Sequence, residues 1–588
     1  MRIVETDVVV IGGGGAGLRA AIAVAMRDPA TRVALVSKVV PMRSHTVAAE
    51  GGAAGVVRAD DTLDNHFNDT VSGGDWLCDQ DVVDYFVAHC AEEMIQLEHW
   101  GCPWSRHEDG SINVRFFGGM KVQRTWFAAD RSGFHLLHTL FQTSHKYPSI
   151  QRHDEHFCVD LIVEDGRVTG ALAIEIATGE FTLFLCRAVV LATGGAGRVY
   201  RQNTNAGIVT GEGMGLAYRH GAALRDMEFV QWHPTCLPGT GILMTEACRG
   251  EGAILTNKDG YRYLQDYGLG PLDPWPRAKA MELGPRDRLS QAFWHEDKKG
   301  RTVQTPQGSA VNLDLRHMGA EKILARLPLI THAARTFAGV DPVEQPIPVR
   351  PAVHYTMGGV AADMRCATEI AGLFAAGECS SVGIHGANRL GSNSLAETVV
   401  FGKVAGESAA EFARGAGGAD LARAQDRARQ AADRALGLLA APKGERVAAI
   451  RGEMMDAMEE GVGLYRTQEG ADGACRKIAD LRARYRDGVK LDDANRAFNT
   501  EWLSAIELGM MLEVAQAMAH SAAWRKESRG AHQRLDAAER DDEAFLVHTL
   551  ARRNGDGAPV IVSSPVTITK SPPRSRVYGG EGKQAQLT

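Results

Sequence analysis

Arginine and histidine recur in five segments of the chain, four of which also contain glycine, and this combination suits the binding of carboxylates. A guanidinium group binds a carboxylate through two parallel hydrogen bonds, and a nearby glycine lets backbone approach a small ligand closely. A single arginine of this kind is more often part of a surface ion pair. Five such segments in one part of the sequence predict a pocket for a dicarboxylate; they span 231–234, 245–252, 284–287, 354–359 and 385–391.

The elements that could position this pocket begin with a glycine-rich turn near the amino terminus. An apolar run at 8–11 predicts a buried parallel strand, the glycines of 12–17 predict a tight turn into a helix, and 33–36 predicts a second strand. This order is the context in which a glycine motif binds the phosphates of a nucleotide. Ser37 and Lys38 stand where NAD-binding proteins commonly have an acid. The sequence therefore predicts a nucleotide site but disfavours NAD.

Two further strands end in glycine-rich turns, at 188–197 and 372–378. Small residues at strand ends are expected where a sheet meets a flat cofactor such as a flavin. Glu378 is placed to accept hydrogen bonds from hydroxyl groups, although a solvated loop carboxylate is the alternative. Residues 392–394 offer caps for a helix from Leu395 onward. A helix amino terminus directed at a reduced flavin would stabilise its negative charge.

His45 follows the second predicted strand closely and therefore lies near the nucleotide site. A histidine in such a position is usually a hydrogen-bonding partner. A neutral imidazole could also attack the 8α-methyl carbon of a flavin and attach the cofactor covalently. The spacing of the residues leaves both interpretations open.

The composition argues against several classes of function. The chain has 588 residues, with 65 Lys and Arg against 72 Asp and Glu, and no basic block that would favour nucleic-acid binding. Its ten cysteines form no CxxC pair, so no metal or iron–sulfur site is predicted, and the usage fits a reducing compartment. No apolar run reaches the roughly 18 residues of a membrane span, and no signal peptide is predicted.

The segments described above resemble the flavoprotein subunit of the fumarate reductase and succinate dehydrogenase family, most closely its bacterial quinol:fumarate reductase branch. The resemblance runs from Ile11 to about Gly580 and rests on the motifs RSHTVAAEGG, QWHPT, TEACRGEG, GPRD, HYTMGG and HGANRLGSNS. It implies an α/β + α fold, in which an α+β capping domain interrupts a Rossmann-like FAD-binding domain, followed by a helical domain and a small C-terminal domain. The corresponding ranges are 1–235 with 351–414, then 236–350, 415–535 and 536–588.

The resemblance also implies roles for individual residues, with hydride passing between N5 of a covalently bound FAD and an olefinic carbon of fumarate. The catalytic residues implied are Arg286, which donates a proton to the substrate, Glu246 and Arg249, which pass protons to Arg286, and His233. Those that would hold the two carboxylates are His233, Thr245, His354 and Arg389. The FAD site would comprise Gly12, Gly13, Gly14, Gly15, Ala16, Ser37, Lys38, Ser44, His45 as the point of attachment, Thr46, Glu50, Gly51, Gly52, His156, Phe157, Cys158, Glu212, Tyr355, Glu378, Arg389, Ser394 and Leu395.

Glu50 bears on the direction of the reaction, and Cys248 bears on whether the site contains a reactive thiol. Glu50 stands where succinate dehydrogenases commonly have glutamine, and a carboxylate near the flavin would lower its reduction potential. Cys248 is either a reactive thiol, with its pKa lowered by Arg249, or an inert buried cysteine.

Four positions depart from the family pattern without removing a catalytic group. Glu212 stands for the usual Asp, Trp232 for Phe or Tyr, Cys236 for Gly and Ala247 for Gly. A turn with positive φ at Cys236 would be strained. The last two changes could alter how the cap closes.

The resemblance implies partners because the chain itself lacks a cluster motif. An iron–sulfur subunit and membrane anchor subunits with quinone are expected, and the chain would lie peripherally on the cytoplasmic face of the bacterial inner membrane. Succinate dehydrogenation as the physiological direction and a soluble L-aspartate oxidase-like flavoenzyme are the alternatives. A non-catalytic flavin-binding assembly factor would need the glycine framework but not the cationic pocket. A pyridine-nucleotide disulfide oxidoreductase is disfavoured by the cysteine spacing.

Overall fold

A parallel sheet at the centre of the molecule carries the glycine-rich turns. The computed structural model describes residues 1–269, 281–440 and 443–576. With strands numbered in chain order, this sheet contains β2 (Val8–Ile11), β3 (Val33–Ser37), β7 (Ile150–Asp154), β11 (Ala188–Leu191) and β19 (Leu373–Ala375), in the order β19-β11-β2-β3-β7. Strands β2, β3 and β11 are buried along their whole length, as expected for a parallel sheet covered on both faces. The predicted strands at 8–11 and 33–36 are confirmed.

Two helices pack closely beside this sheet: α1 (Gly15–Arg27) and α10 (Asn393–Gly415). Their backbones nearly touch, since a Cβ atom on Gly406 would lie 2.3 Å from the carbonyl oxygen of Ala20. Helix α10 begins at Asn393, earlier than the predicted Leu395. The preceding Ser392 has a φ of 67° and its side chain caps no backbone amide of the helix. The cavity described below is lined by residues that lie within three positions of the first residue of α1, and by others within three positions of the first residue of α10.

A second, four-stranded sheet and several helices surround this centre. The sheet has the order β1-β10-β9-β8. Its strands are β1 (Arg2–Glu5), β8 (His156–Glu164), β9 (Arg167–Glu175) and β10 (Glu180–Leu185). The surrounding elements are β4 (Ala53–Ala54), β5 (Val114–Arg115), β6 (Thr125–Trp126), α2 (Leu63–Gly73), α3 (Gln80–His99), α4 (Ser132–Ser144) and α5 (Glu212–Arg219).

The segment expected to form a cap has an antiparallel sheet of its own. It consists of β13 (Val230–Cys236), β14 (Ile254–Thr256), β15 (Val303–Thr305), β16 (Gly308–Asp314) and β17 (Ile347–Thr356), with α6 (Glu246–Glu251), α7 (Arg286–Lys298), α8 (Ala320–Arg326) and α9 (Pro328–Ala333). The predicted boundaries at 235/236 and 350/351 fall inside β13 and β17, which pair with each other. The division into domains stays a prediction, and residues 270–280 of the predicted cap lie outside the described residues.

Helices form the next part of the chain: α11 (Leu421–Leu439), α12 (Val447–Gly461), α13 (Gln468–Asp487) and α14 (Thr500–Trp524), with a short strand pair, β21 (Glu445–Arg446) and β22 (Val489–Lys490). The helix predicted at 420–439 is confirmed, and the side chain of Asp420 accepts hydrogen bonds from the amides of Ala422 and Arg423. Within the described ranges, no helix combines the length and the apolar character that a membrane span requires.

The last part of the chain returns to the amino-terminal half. After α15 (Asp542–Phe545), strands β23 (Val547–Arg552) and β24 (Val560–Pro565) form a hairpin. The hairpin joins β12 (Leu224–Arg225), β18 (Gly359–Ala361) and β20 (Ser380–Ser381) in one sheet. The segment predicted as a small C-terminal domain therefore shares a sheet with the rest of the chain, and its residues 577–588 lie outside the described part.

Candidate active site

A cavity of about 340 Å³ opens where the strands of the parallel sheet end and helices α1 and α10 begin. Most residues predicted to hold the cofactor line it: Gly12, Gly13, Gly14, Gly15, Ala16, Ser37, Lys38, Ser44, His45, Thr46, Glu50, His156, Cys158, Glu212, Tyr355, Glu378, Ser394 and Leu395. Gly51, Gly52, Phe157 and Arg389 are not part of the lining. Thr193, Thr204 and Thr398 also line the cavity and were missed, because isolated threonines carry no motif.

The turn between β2 and α1 has room only for glycine at two positions. Gly12 has a φ of +114°, and a Cβ atom added to Gly17 would lie 1.8 Å from the carbonyl oxygen of Gly12. The turn therefore brings backbone to the cavity wall. Helix α1 starts at Gly15, without a cap from Gly14 and without an acid in its first turn, and the hydroxyl of Thr46 accepts a hydrogen bond from the amide of Gly15 at 3.1 Å. Its positive amino end is thus suited to a pyrophosphate.

The donors and acceptors around the cavity fit FAD. The hydroxyl oxygens of Ser44 and Thr193 are buried without a hydrogen-bond partner in the described chain. Glu378 accepts a hydrogen bond from the backbone N–H of Thr356 at 2.9 Å. Burial raises the pKa of Glu378 to about 7. The glycine turn, the amino end of helix α1 and these polar groups are what a dinucleotide with ribose hydroxyls requires.

His45 lies in the cavity wall as a neutral imidazole. Burial, with a smaller contribution from Arg198, lowers its pKa to about 4. Its Nε2 atom lies 3.3 Å from Nδ2 of Asn205, and its Nδ1 atom lies 3.4 Å from the backbone nitrogen of Ala206. A neutral imidazole has a lone pair that can act as a nucleophile. The side chain therefore has the protonation state that covalent attachment requires.

Lys38 is held by carboxylates at the end of β3. Its Nζ atom lies 2.6 Å from Oε2 of Glu212 and 2.6 Å from Oε1 of Glu507. Burial alone would lower the pKa of Lys38, but these two carboxylates outweigh it and raise the pKa. Glu212 is one of the departures from the family pattern, and its carboxylate forms part of this contact. The sequence predicted a phosphate or cofactor contact for Lys38 but gave no sign of Glu507.

Glu50 is a second acid with a shifted pKa. Burial, and after it the charge of Asp130, raises the pKa of Glu50 to about 8, while a hydrogen bond with Thr245 opposes the rise. Its Oε2 atom is buried without a partner among the described residues. The side chain is therefore mostly a neutral acid near pH 7. This changes the expectation from the sequence, which treated Glu50 as a charged carboxylate.

Beside the cavity lies the cationic pocket, which we define as Gln231, His233, Glu246, Arg249, Arg286, His354 and Arg389. Nη1 of Arg286 and Nη2 of Arg389 both donate to Oε1 of Gln231, at 3.1 and 3.0 Å. Gln231 thereby sets the separation of the two guanidinium groups. The sequence placed Gln231 in a motif but gave it no role, because neither arginine is near it in the chain.

Glu246 links two arginines of this pocket. Its Oε2 atom accepts a hydrogen bond from Nε of Arg286 at 2.9 Å and lies 3.8 Å from Nη2 of Arg249. The backbone N–H of Gly118 donates to its Oε1 atom. Burial would raise the pKa of Glu246, but Arg286 and Arg249 outweigh it and lower the pKa, so the group is ionised. Glu246 therefore contacts both of the other residues predicted as a proton path.

Two histidines complete the pocket. The ring centroids of His233 and His354 are 5.0 Å apart. Burial, followed by the charge of Arg286, holds the pKa of each well below its ordinary value, so both rings are neutral. Nδ1 of His354 lies 2.8 Å from the hydroxyl of Thr204, whereas Nε2 of His233 has no partner within the described chain. His354 also lines the cavity, so the pocket and the cavity adjoin.

Arg389 and Thr245 are fixed by their local surroundings. The guanidinium of Arg389 lies over the ring of Tyr355, 4.3 Å from its centroid, and donates to Oγ of Ser394 at 2.9 Å. Burial, with a further contribution from Arg286, lowers the pKa of Arg389 to about 10. Thr245 is the N-cap of α6, and its hydroxyl accepts a hydrogen bond from the amide of Ala247. The structure thus brings together the residues that the sequence assigned to the dicarboxylate.

The cysteines near this pocket are buried thiols. Burial raises the pKa of Cys248 above its ordinary value despite the neighbouring Arg249, which supports the inert alternative. Cys236 lies in extended strand β13, so the strained turn considered for it does not arise. Trp232 and Ala247, the other departures in this region, are buried.

Comparisons with known proteins agree with this architecture. Residues 7–395 match the family described as FAD binding domain, and residues 451–578 match the family described as fumarate reductase flavoprotein C-term. The fumarate reductase flavoprotein subunit of Proteus vulgaris is 61% identical over 585 residues, covering 99% of this chain and 98% of its own. The succinate dehydrogenase flavoprotein subunit of Rickettsia bellii is 40% identical, covering 97% of this chain and 98% of its own. A solved structure of E. coli quinol fumarate reductase superimposes with a TM-score of 0.96 at 60% identity, covering 98% of this chain and 99% of the other.

Proposed function

Because this chain belongs to the fumarate reductase and succinate dehydrogenase flavoprotein family, we propose that it is the FAD-containing catalytic subunit that interconverts fumarate and succinate. The observation that carries the proposal is the cationic pocket beside the cavity, in which Arg286 and Arg389 share the Oε1 atom of Gln231. A flavin-binding assembly factor would not need this arrangement. Succinate dehydrogenation as the physiological direction is the second candidate, supported by the Rickettsia relative.

The cofactor is held by the cavity and attached through His45. Gly12 to Ala16 and the start of α1 would bind its pyrophosphate, Glu378 would accept hydrogen bonds from its hydroxyl groups, and neutral His45 would be the point of covalent attachment. FAD bound here supplies the atom, N5, that gives or takes a hydride. Ser394 and Leu395 place the amino end of α10 at the same cavity, where its dipole favours negative charge.

The substrate is oriented by neutral and charged donors. Arg389 binds one carboxylate of the dicarboxylate, and His233, Thr245 and His354 donate hydrogen bonds from their neutral side chains. Neutral imidazoles can donate here without adding charge beside the three arginines of the pocket. The buried position of these groups excludes water, which strengthens their interaction with an anion.

Arg286 acts on the olefinic carbon that does not receive the hydride. It delivers a proton to that carbon and is resupplied through Glu246, which contacts it, and through Arg249, which lies beside Glu246. Guanidinium groups release protons reluctantly, so the stabilisation of developing negative charge is its larger contribution. The ionised Glu246 is the acceptor through which the proton passes.

The chain acts as one subunit of a larger membrane-bound complex. Electrons are exchanged with an iron–sulfur subunit and, through membrane anchor subunits, with quinone, at the cytoplasmic face of the bacterial inner membrane. The E. coli relative, a quinol fumarate reductase, supports the exchange of electrons with a quinone. Residues 236–350 act as the cap over the site, between an FAD-binding domain at 1–235 and 351–414 and the helical and C-terminal domains at 415–535 and 536–588.

The activity is tested by measuring fumarate reduction with a reduced viologen dye. Arg286→Ala is expected to lower kcat by about 10³-fold, the effect of removing a donor that stabilises transition-state charge. Arg288→Ala is the matched control, because Arg288 lies in the same helix with an exposed side chain. An inactive parent enzyme would contradict the proposed function, and full activity in Arg286→Ala would contradict the role of Arg286.

The covalent bond is tested on a denaturing gel under ultraviolet light. Flavin fluorescence is expected in the 63.4 kDa band of the parent and absent from His45→Ala. Absence of fluorescence from the parent band would contradict the bond to His45 and favour an L-aspartate oxidase-like enzyme, whose flavin is not covalently held.

A further inference from the structure

The end of the described chain lies as a strap across the amino-terminal half of the molecule. We define the tail strap as residues 566–576. Its backbone is held by one side chain, because Oε1 of Gln80 accepts hydrogen bonds from the amides of Thr569, Lys570 and Ser571, each at 3.0 Å. Nε2 of Gln80 donates to the carbonyl oxygen of Ser571 at 2.6 Å. The strap is therefore fixed to the start of helix α3 by hydrogen bonds between its own backbone and the side chain of Gln80.

Charged and aromatic contacts fix the same strap on both sides of these bonds. Nζ of Lys570 lies 2.9 Å from Asp64 and 2.7 Å from Asp84, and 4.0 Å from the centre of the Phe67 ring. Arg540 donates to the backbone oxygen of Arg574 at 2.9 Å. These contacts determine where the last described residue of the strap is placed.

That residue, Arg576, ends against the helix that carries Arg286. Its Nη1 atom donates to Oδ2 of Asp287 at 2.8 Å, and its Nη2 atom donates to the carbonyl oxygen of Gly73 at 3.1 Å. Asp287 is only 2% exposed and also accepts a hydrogen bond from Nδ2 of Asn388 at 3.2 Å. Asp287 follows Arg286 directly in the first turn of α7. A residue near the end of the chain thus contacts the immediate neighbour of the proton donor.

The other end of α7 is held by the helical part of the chain. The ring of Trp294 lies 4.5 Å from that of Tyr465, and Nε2 of His295 lies 3.0 Å from the hydroxyl oxygen of Tyr465. Helix α7 is therefore fixed at its carboxyl end by Tyr465 and at its amino end by Arg576 and Asn388. Only the amino-terminal contacts bear directly on where the Arg286 side chain begins.

We propose that Arg576 is a positioning residue for the reaction: through Asp287 it fixes the amino end of α7 and so the guanidinium of Arg286 relative to Glu246 and Gln231. The inference rests on the proposed function. Removing Arg576 would leave the carboxylate of Asp287 buried with one partner fewer, which favours local rearrangement. Proton delivery depends steeply on geometry, and a displacement of about 1 Å can lower a rate by up to about a hundredfold.

The experiment compares Arg576→Ala with Arg574→Ala in the full-length chain, using fumarate reduction by a reduced viologen dye. Arg574 lies in the same strap with an exposed side chain, so its replacement removes the same charge without touching Asp287. Arg576→Ala is expected to lower kcat per bound flavin by about tenfold, with KM changed by less than about threefold, because Arg389, His233 and His354 still bind the substrate. Arg576→Lys, which keeps a charge near Asp287, is expected to recover part of the loss.

A second measurement separates positioning from a general loss of folding. Hydrogen exchange in the peptide 281–298 is expected to speed up in Arg576→Ala, whereas exchange in the sheet strands β2 and β3 stays as in Arg574→Ala. Equal kcat in Arg576→Ala and Arg574→Ala would overturn the inference while leaving the proposed function intact. An inactive parent enzyme would instead overturn the proposed function. The double variant Arg576→Ala with Asp287→Asn gives a further test. A fold-loss of kcat equal to the product of the two single fold-losses would overturn the inference about Arg576, since residues acting through one contact are not additive.

Discussion

The cofactor cavity and the cationic pocket adjoin each other but are built in different ways. Backbone forms much of the cavity, through a glycine turn in which Gly17 would place a Cβ atom 1.8 Å from the carbonyl oxygen of Gly12. Side chains form the pocket, and its shape depends on the hydrogen bonds that Gln231 and Glu246 make to arginines. The cavity is thus determined by the space that residues leave free, and the pocket by the balance of charge within it.

The two regions should therefore respond differently to substitution. A site formed by closely packed backbone has no room for another atom, so one added methyl group must move the turn or the helix. A charged site can lose one interaction and keep the others, so its failure is graded. The three predictions that follow test whether the two regions separate in this way.

The largest effect is expected from Gly17→Ala. The added Cβ atom overlaps the carbonyl oxygen of Gly12, which is backbone and cannot rotate away. Flavin content, measured by the absorbance of the purified protein, is expected to fall to less than about a tenth of the parent value, since the turn must open where the pyrophosphate binds. Gly207→Ala is the control, because a Cβ atom there meets open space. Normal flavin content in Gly17→Ala would show that the cavity tolerates changes as the pocket does.

A smaller, graded effect is expected from Gln231→Glu. The new carboxylate would sit between Arg286 and Arg389 and compete with the dianionic substrate for both. The KM for fumarate is expected to rise about tenfold, with flavin content unchanged, because like charges at a binding site weaken binding by a few kcal/mol or less. Gln304→Glu, an exposed position of the inserted segment, controls for net charge. Loss of flavin in Gln231→Glu would mean that the two regions are not separable.

The smallest effect is expected at Glu50, which lines the cavity and also bonds Thr245 beside the pocket. Since the pKa of Glu50 is about 8, the acid is mostly neutral below that pH and becomes charged as the pH rises through it. The charged form disfavours adding an electron pair to a flavin. Glu50→Gln is therefore expected to change the flavin potential by less than about 30 mV near pH 6, and to raise it by more than that near pH 9.

Potentiometric titration followed by flavin absorbance measures this difference. Glu321→Gln, at an exposed position, is the control for overall charge. A gap between Glu50→Gln and the parent that is already large near pH 6 would contradict the neutral state of Glu50.

The sequence predicts the cofactor cavity better than the cationic pocket. Strands β2, β3 and β11 follow from apolar runs, and the glycine turns after β2 and β11 follow because the residues that form each turn are adjacent in the chain. The family resemblance names most of the pocket, but not Gln231 as the bridge between two arginines, since Gln231 and Arg389 lie 158 positions apart. The same holds for Arg576, which reaches Asp287 from 289 positions away. Contacts of this length are set by how whole elements pack, which no local motif records.

The protonation states of Glu50 and Cys248 could not be predicted from the sequence either. Both pKa shifts arise from burial, which depends on every element packed around the group. A neighbouring arginine suggested a lowered pKa for Cys248, yet burial raises it.

The contact between Lys38 and Glu507 has a consequence for the order in which the protein is made. The ribosome releases the amino terminus first, so the glycine turn and Lys38 emerge long before residue 507, which lies 469 positions later. Until helix α14 has been synthesised and docked, the ammonium group of Lys38 lacks one of its two carboxylates. The nucleotide site therefore reaches its final charge only after helix α14 has docked, and a nascent chain that lacks residue 507 presents a different site to the flavin than the folded protein does.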